Sequence, residues 1–157
     1  EQSGDSGYNH RMWAMRTRDF ETFSPPEVFF DPGFNTIDST IAKVGRRWLM
    51  VFKDERREPL KKNLRLAWAD DPAGPWRAEP DSFTKSWIEG PSVLRIGRDW
   101  FVYFDHYGKP QHYGACRTRN WKQFEDVTEK LSFPPDHRHG TVVRISRSEA
   151  ERLRTLR

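Results

Sequence analysis

Three residues able to do acid–base work recur about fifty residues apart: Asp38, Glu89 and His139. Asp38 follows Ile37 and leads through Ser39-Thr40 into the apolar run Ile41–Val44. Glu89 follows Ile88 and precedes Gly90-Pro91, then Val93, Leu94 and Ile96. His139 precedes Gly140-Thr141 and Val142-Val143. Taken singly, a carboxylate beside a turn is most often a solvated, idle group. Recurrence at the head of successive strands makes an acid–base set the sharper reading. Carboxylates brought close together raise the pKa of one of them, and a carboxylic acid protonated near neutral pH can donate its proton to a leaving oxygen. That division of labour between two carboxyl groups is how glycosidic bonds are hydrolysed.

The elements that would position these groups repeat with them. Ile37–Phe52 and Ile88–Phe104 share one order: Ile, carboxylate, small residues, apolar run, Gly, basic residue, Trp, apolar strand. Asp38 aligns with Glu89, and Trp48 with Trp100 after a one-residue slip. Both tryptophans are expected in a core between sheets. Arg16–Phe23 matches Arg117–Phe124, with Arg65–Trp76 as the intermediate copy. A period of ~40–50 residues built of short strands indicates propeller blades. Each period offers a mouth strand, an aromatic strand, a third strand before an Asp/Asn turn, and a short fourth. First strands line the axis of a propeller, so equivalent positions at their mouths converge.

Length and composition agree with an all-β domain: 157 residues, 35% hydrophobic and 14% aromatic. No run approaches the ~18 apolar residues of a membrane span, and no signal peptide pattern is present. The chain has no initiator Met, and Arg11–Met15 reads as a third strand without its first two; a C-terminal part of a longer protein is expected. The 27 basic and 23 acidic residues give a net charge of +4. They are interleaved, as in Lys53–Glu58, which describes a solvated loop or salt-bridged rim rather than a nucleic-acid face. Cys116 is the single cysteine; it forms no internal disulfide and reads as a buried thiol, without zinc spacing around it. Ser146 and Glu149 spell a capping box for a short C-terminal helix.

Ile37-Asp38, Glu89-Gly90-Pro91 and His139-Gly140-Thr141, in this order and spacing, resemble the five-bladed β-propeller glycoside hydrolases of family 43. The likeness runs from about Ser6 to about Ser146. It implies a five-bladed propeller of which this chain holds about three and a half blades. Residues 1–25 would end the second blade, 26–76 form the third, 77–128 the fourth, 129–146 a fifth-blade strand, and 147–157 a helix. By the same resemblance Glu89 is the general acid, Asp38 the acid that orients it and tunes its pKa, and His139 a contact for a bound water or calcium ion. The general base, an Asp of the first blade, would lie outside the chain, leaving this part alone inactive. The implied reaction is hydrolysis with inversion of an oligo- or polysaccharide containing arabinose or xylose. No cofactor is required, neither nucleic acid nor membrane is a partner, and the missing N-terminal blades are. Lys53, Asp105 and Tyr107, at the ends of the aromatic strands, line the pocket or form rim salt bridges. Phe34 stacks on a sugar ring or packs in the core. The alternative is a carbohydrate-binding propeller without turnover. Compartment is left open.

Overall fold

Aromatic and β-branched residues in alternating runs give most of the regular structure as strands. The computed structural model describes residues 7–134 and 136–156. Among these the chain forms β1 (Met12–Ala14), β2 (Glu27–Phe30), β3 (Thr36–Val44), β4 (Arg47–Asp54), β5 (Asn63–Ala69), β6 (Arg77–Ser82), β7 (Ile88–Ile96), β8 (Asp99–His106), β9 (His112–Thr118), β10 (Glu125–Asp126) and one α-helix, α1 (Arg147–Arg154). All strand pairing is antiparallel, in three sheets: β1-β2, β3-β4-β5-β6 and β7-β8-β9-β10. The four-strand period read from the repeat is therefore present twice.

The aromatic strands are buried on both faces, and their period of two separates those faces. On β4, Leu49 and Val51 join Leu64 and Leu66 of β5 against Ile88, Val102, Phe104, Cys116 and Trp121 of the next sheet. Met50 and Phe52 turn the other way, onto Phe30 and Ala67. On β8, Tyr103 faces outward from the shared core, toward Tyr113, Val127 and Phe133. The two four-stranded sheets thus stack on each other, each with two apolar faces, and β1-β2 packs on the Met50 face of the first. Full burial of one such side chain contributes ~1.5–3 kcal/mol, so these layers hold the mouths of β3 and β7 in register. Trp100 packs against the shared core, its ring 5.4 Å from that of Trp121. Trp48 does not. It lies half-buried on the Met50 side of β4, with the Lys43 ammonium 5.6 Å from its ring centre.

The matched segments take one backbone. Thr17 Oγ1 accepts from the amides of Asp19 and Phe20, and Asp19 Oδ1 from those of Glu21 and Thr22. Thr118 and Asn120 accept in the same way from Asn120, Trp121, Lys122 and Gln123. Sheet borders differ from the expected units. Glu27–Phe30 pairs with β1, not with the sheet that follows, and Arg77–Ser82 closes the earlier sheet instead of opening the later one. Over residues 136–146 no strand forms among the described residues; the segment runs beside β7, where Val142 N–H donates to Ser92 Oγ. Helix α1 starts at the expected capping box of Ser146 and Glu149. Cys116 is buried and free, and desolvation pushes its pKa up to about 12.

Candidate active site

Strands β3 and β7 lie against each other, and each is broken by a bulge near its start. In β3 the bulge falls between Ile37 and Ser39, and Asp38 adopts a left-handed conformation with φ 47°. In β7 it falls between Glu89 and Ser92, and Gly90 has φ 58°. Ile37 stands opposite Lys53, and Glu89 opposite Asp105, at equivalent places on β4 and β8. The structural equivalent of Asp38 is therefore Gly90, and that of Glu89 is Ile37. The sequence alignment of Asp38 with Glu89 is off by one residue. His139, with φ 47°, is left-handed as well, although it lies outside any strand. Asp and His are among the few side chains that enter this conformation with some frequency.

The slip does not separate the acids. Asp38 Oδ2 accepts the Gly90 N–H at 3.0 Å, so its carboxylate holds the neighbouring bulge. Asp38, Glu89 and His139 each bring one donor atom within 4.8 Å of the others. Gly90 is required where it stands: besides its left-handed φ, a Cβ there would lie 2.8 Å from His139 Nδ1. The His139 ring packs over that bare backbone while Nε2 reaches Glu89 Oε1 at 3.2 Å.

Glu89 is surrounded by positive charge. Lys53 Nζ donates to Oε2 at 2.6 Å, and Arg138 Nη2 to Oε1 at 2.8 Å. Burial pushes the Glu89 pKa up, but the hydrogen bonds and charges of Lys53, then of His139, outweigh it and hold the carboxyl below its ordinary range. This corrects the expectation of a carboxyl pKa raised by a like-charged neighbour. The ammonium is the closer and stronger influence.

The remaining expected site residues divide between the faces of β4. Lys53 is 2% exposed; its Nζ lies 2.8 Å from Glu55 Oε2 and 4.4 Å from the Tyr107 ring centre. Asp105 is 1% exposed; its Oδ2 accepts the His139 N–H at 3.0 Å, and its Oδ1 is buried without a partner among the described residues. Lys53, Asp105 and Tyr107 thus join the Asp38–Glu89–His139 cluster; Lys53 spends its contacts on protein groups, whereas Asp105 Oδ1 and the Tyr107 hydroxyl are buried without a hydrogen-bond partner among the described residues. Phe34 does not join it. It packs toward Phe52 on the opposite face of β4, with the guanidinium carbons of Arg56 and Arg65 4.1 and 4.7 Å from its ring centre. Two members are not singled out by the sequence pattern: Arg138, beside His139, and Glu55, inside the Lys53–Glu58 charge run that reads as a solvated loop or salt-bridged rim.

The cluster suits a calcium ion poorly as direct ligands. Calcium takes ~6–8 oxygen ligands, whereas two carboxylates and an imidazole nitrogen converge here, and Lys53, Arg138 and the Gly90 amide already neutralise or occupy both carboxylates. Arg138 also borders a cavity of about 530 Å³, whose lining includes His112, Tyr113, Phe133 and His137.

Comparison with known proteins speaks to the family of the chain. Residues 1–151 match the model of the Glyco_hydro_43_rel family, described as "Probable glycosyl hydrolase domain". The chain is also 36% identical, over 56 residues, to an alpha-L-arabinofuranosidase of Bifidobacterium longum subsp. longum. That stretch is 36% of this chain and 5% of the relative, so the chain spans a small part of that protein's length. The chain belongs to a glycoside hydrolase family 43-related family, as an all-β, glycosyl-hydrolase-type domain.

Proposed function

We propose that this chain carries the acid-donating half of a glycosidase centre that hydrolyses arabinose- or xylose-containing glycans with inversion, within a five-bladed propeller. The observation that carries the reading is the meeting of Asp38 and Glu89 on adjacent bulges. Glu89 gives its proton to the glycosidic oxygen, the C–O bond breaks, and water attacks the anomeric carbon from the opposite face. Asp38 holds the Gly90 amide and thereby the Glu89 backbone. It is not the inverting base: an inverting pair needs ~6.5–9.5 Å to seat a water, and these two acids approach within 4.8 Å. The base is assigned to an Asp contributed from outside these residues. The stack of similar sheets supports the propeller, and the 530 Å³ cavity next to Arg138 offers room for a sugar. The reading uses no cofactor, and His139 serves as a hydrogen-bond partner of Glu89.

One observation favours a second reading. A carboxylate whose pKa Lys53 and His139 hold below the ordinary range, and which also bonds Arg138, is poorly prepared to donate a proton, as expected of a carbohydrate-binding propeller without turnover. Incubating the full-length protein with arabinan, arabinoxylan and xylan, and following the anomeric protons of the product by NMR, separates the possibilities. Initial release of the inverted anomer supports the proposal. Initial release of the retained anomer would make Asp38 a nucleophile. Binding without release supports the second reading.

A further inference from the structure

An almost fully buried charge lies behind Glu89. Lys53 is on β4, one strand away from the mouth, and its ammonium is buried. A buried ammonium persists only if paired. Here it meets Glu89 Oε2 at 2.6 Å and Glu55 Oε2 at 2.8 Å, and Glu55 in turn pairs with the nearly buried Lys62. The Tyr107 ring lies against the same ammonium, a contact that strengthens when water is excluded. The chain Glu89–Lys53–Glu55–Lys62 alternates in sign. Its outer end is anchored through the backbone, because the Lys62 carbonyl accepts the Ile88 N–H, next to Glu89. On the solvent side Arg138 and His139 bond the other oxygen, Oε1. Both oxygens of the carboxylate are therefore held, one from behind and one from the front.

Resting on the reading of Glu89 as the proton donor, we propose that Lys53 is the positioning residue of the Glu89 carboxylate, with Glu55 as the second counter-charge that keeps the ammonium in place. Lys53 acts through Glu89 and touches no substrate, which departs from its expected place among sugar contacts. Glu55 also supplies what the chemistry needs. When Glu89 takes up its proton, the Lys53 ammonium keeps a carboxylate partner and stays where it is.

The test uses the full-length protein carrying Lys53→Met, Lys53→Arg, Glu55→Gln or Glu89→Gln, assayed on arabinoxylan and on an aryl arabinofuranoside. A displacement of about 1 Å at a reacting group can lower a rate ~10²-fold, so Lys53→Met should lower kcat on arabinoxylan by that factor with KM within ~3-fold. Lys53→Arg keeps the charge in a different geometry and should recover part of that loss; it also answers for the fold if the Met variant is unstable. Glu55→Gln should cost less, ~10-fold. A raised KM at unchanged kcat would make Lys53 a substrate contact and overturn the proposal, as would full kcat in both Lys53 variants. Glu89→Gln keeps the two questions apart: if it retains activity on arabinoxylan, the proton-donor reading fails; if it alone loses activity, only the role of Lys53 fails. A crystal structure of Lys53→Arg or Lys53→Met gives a readout independent of turnover. The Glu89 carboxylate should leave its wild-type position, and an unmoved carboxylate contradicts the proposal.

Discussion

Copies of one sequence repeat take the same backbone in this molecule and differ in what they face. The mouths of β3 and β7 are bulged alike, with a left-handed residue at the same register. In one that residue is Asp38, whose side chain reaches across; in the other it is Gly90, whose bare backbone receives Asp38 and makes room for His139. The turns at Thr17 and Thr118 also share their hydrogen bonds, and Phe20 and Trp121 share a left-handed φ of 60° and 59°. Yet Phe20 is 85% exposed while Trp121 is 5% exposed, wedged near Trp68 and Trp100. Local chemistry sets the shape of each copy. Function and stability come from where the copies differ.

The largest expected contrast is at the turns. Trp121→Ala empties a packed site between sheets and should cost ~3–5 kcal/mol. Phe20→Ala removes a ring that is mostly in solvent and should stay within ~0.5 kcal/mol. Urea unfolding of both variants measures the difference; similar costs would mean that Phe20 has a partner in solution. At the mouths, Gly90→Ala places a Cβ against His139 at a left-handed backbone, and the conformational part alone costs ~1–2 kcal/mol. In the opposite direction, Asp38→Gly relieves that strain and loses one hydrogen bond, worth ~0.5–1.5 kcal/mol, so its net effect on stability should be small. If thermal melting showed the reverse order, the equivalence of Asp38 with Gly90 would be wrong.

A smaller effect separates the carboxylates by pH. Burial pushes the Asp54 pKa up, but hydrogen bonds from the side chain and backbone of Arg56 and from Arg65 outweigh it, so its folded value lies below the ordinary one. A group with a depressed folded pKa stabilises the fold above its unfolded pKa, ~3.9 for Asp, and loses that contribution as pH falls through the folded value. Asp54→Asn should therefore flatten the stability curve below about pH 4 and lower the plateau above it. An unchanged acid limb in denaturant titrations would show that these ion pairs do not stabilise the fold.

Much of the fold was legible because it is local. Gly45 and Gly97 mark the hairpins, the aromatic runs mark β4 and β8, and Ser146 with Glu149 marks the helix start. The one-residue slip at the mouths was not legible. Asp38 and Glu89 are both carboxylates after Ile, and nothing in that pattern says which position is left-handed. The charge state of Glu89 was hidden for a different reason: Lys53 lies 36 residues away in sequence, and a place in the pocket or a rim salt bridge does not say which carboxylate it meets. Phe34 had the right chemistry for a sugar, but it sits in the bend before β3 and packs toward Phe52, on the face of β4 opposite Lys53.

The central claim is that Glu89 hands its proton to the leaving oxygen. Its most direct test is kcat/KM for the full-length wild type and Glu89→Gln, on arabinoxylan and on an aryl arabinofuranoside with an acidic phenol. Positioned proton transfer typically contributes ~10²–10⁴-fold. The account predicts a loss of that size on arabinoxylan, whose leaving group needs the proton, and a far smaller loss on the aryl substrate, whose leaving group does not. Equal losses on the two substrates would contradict it.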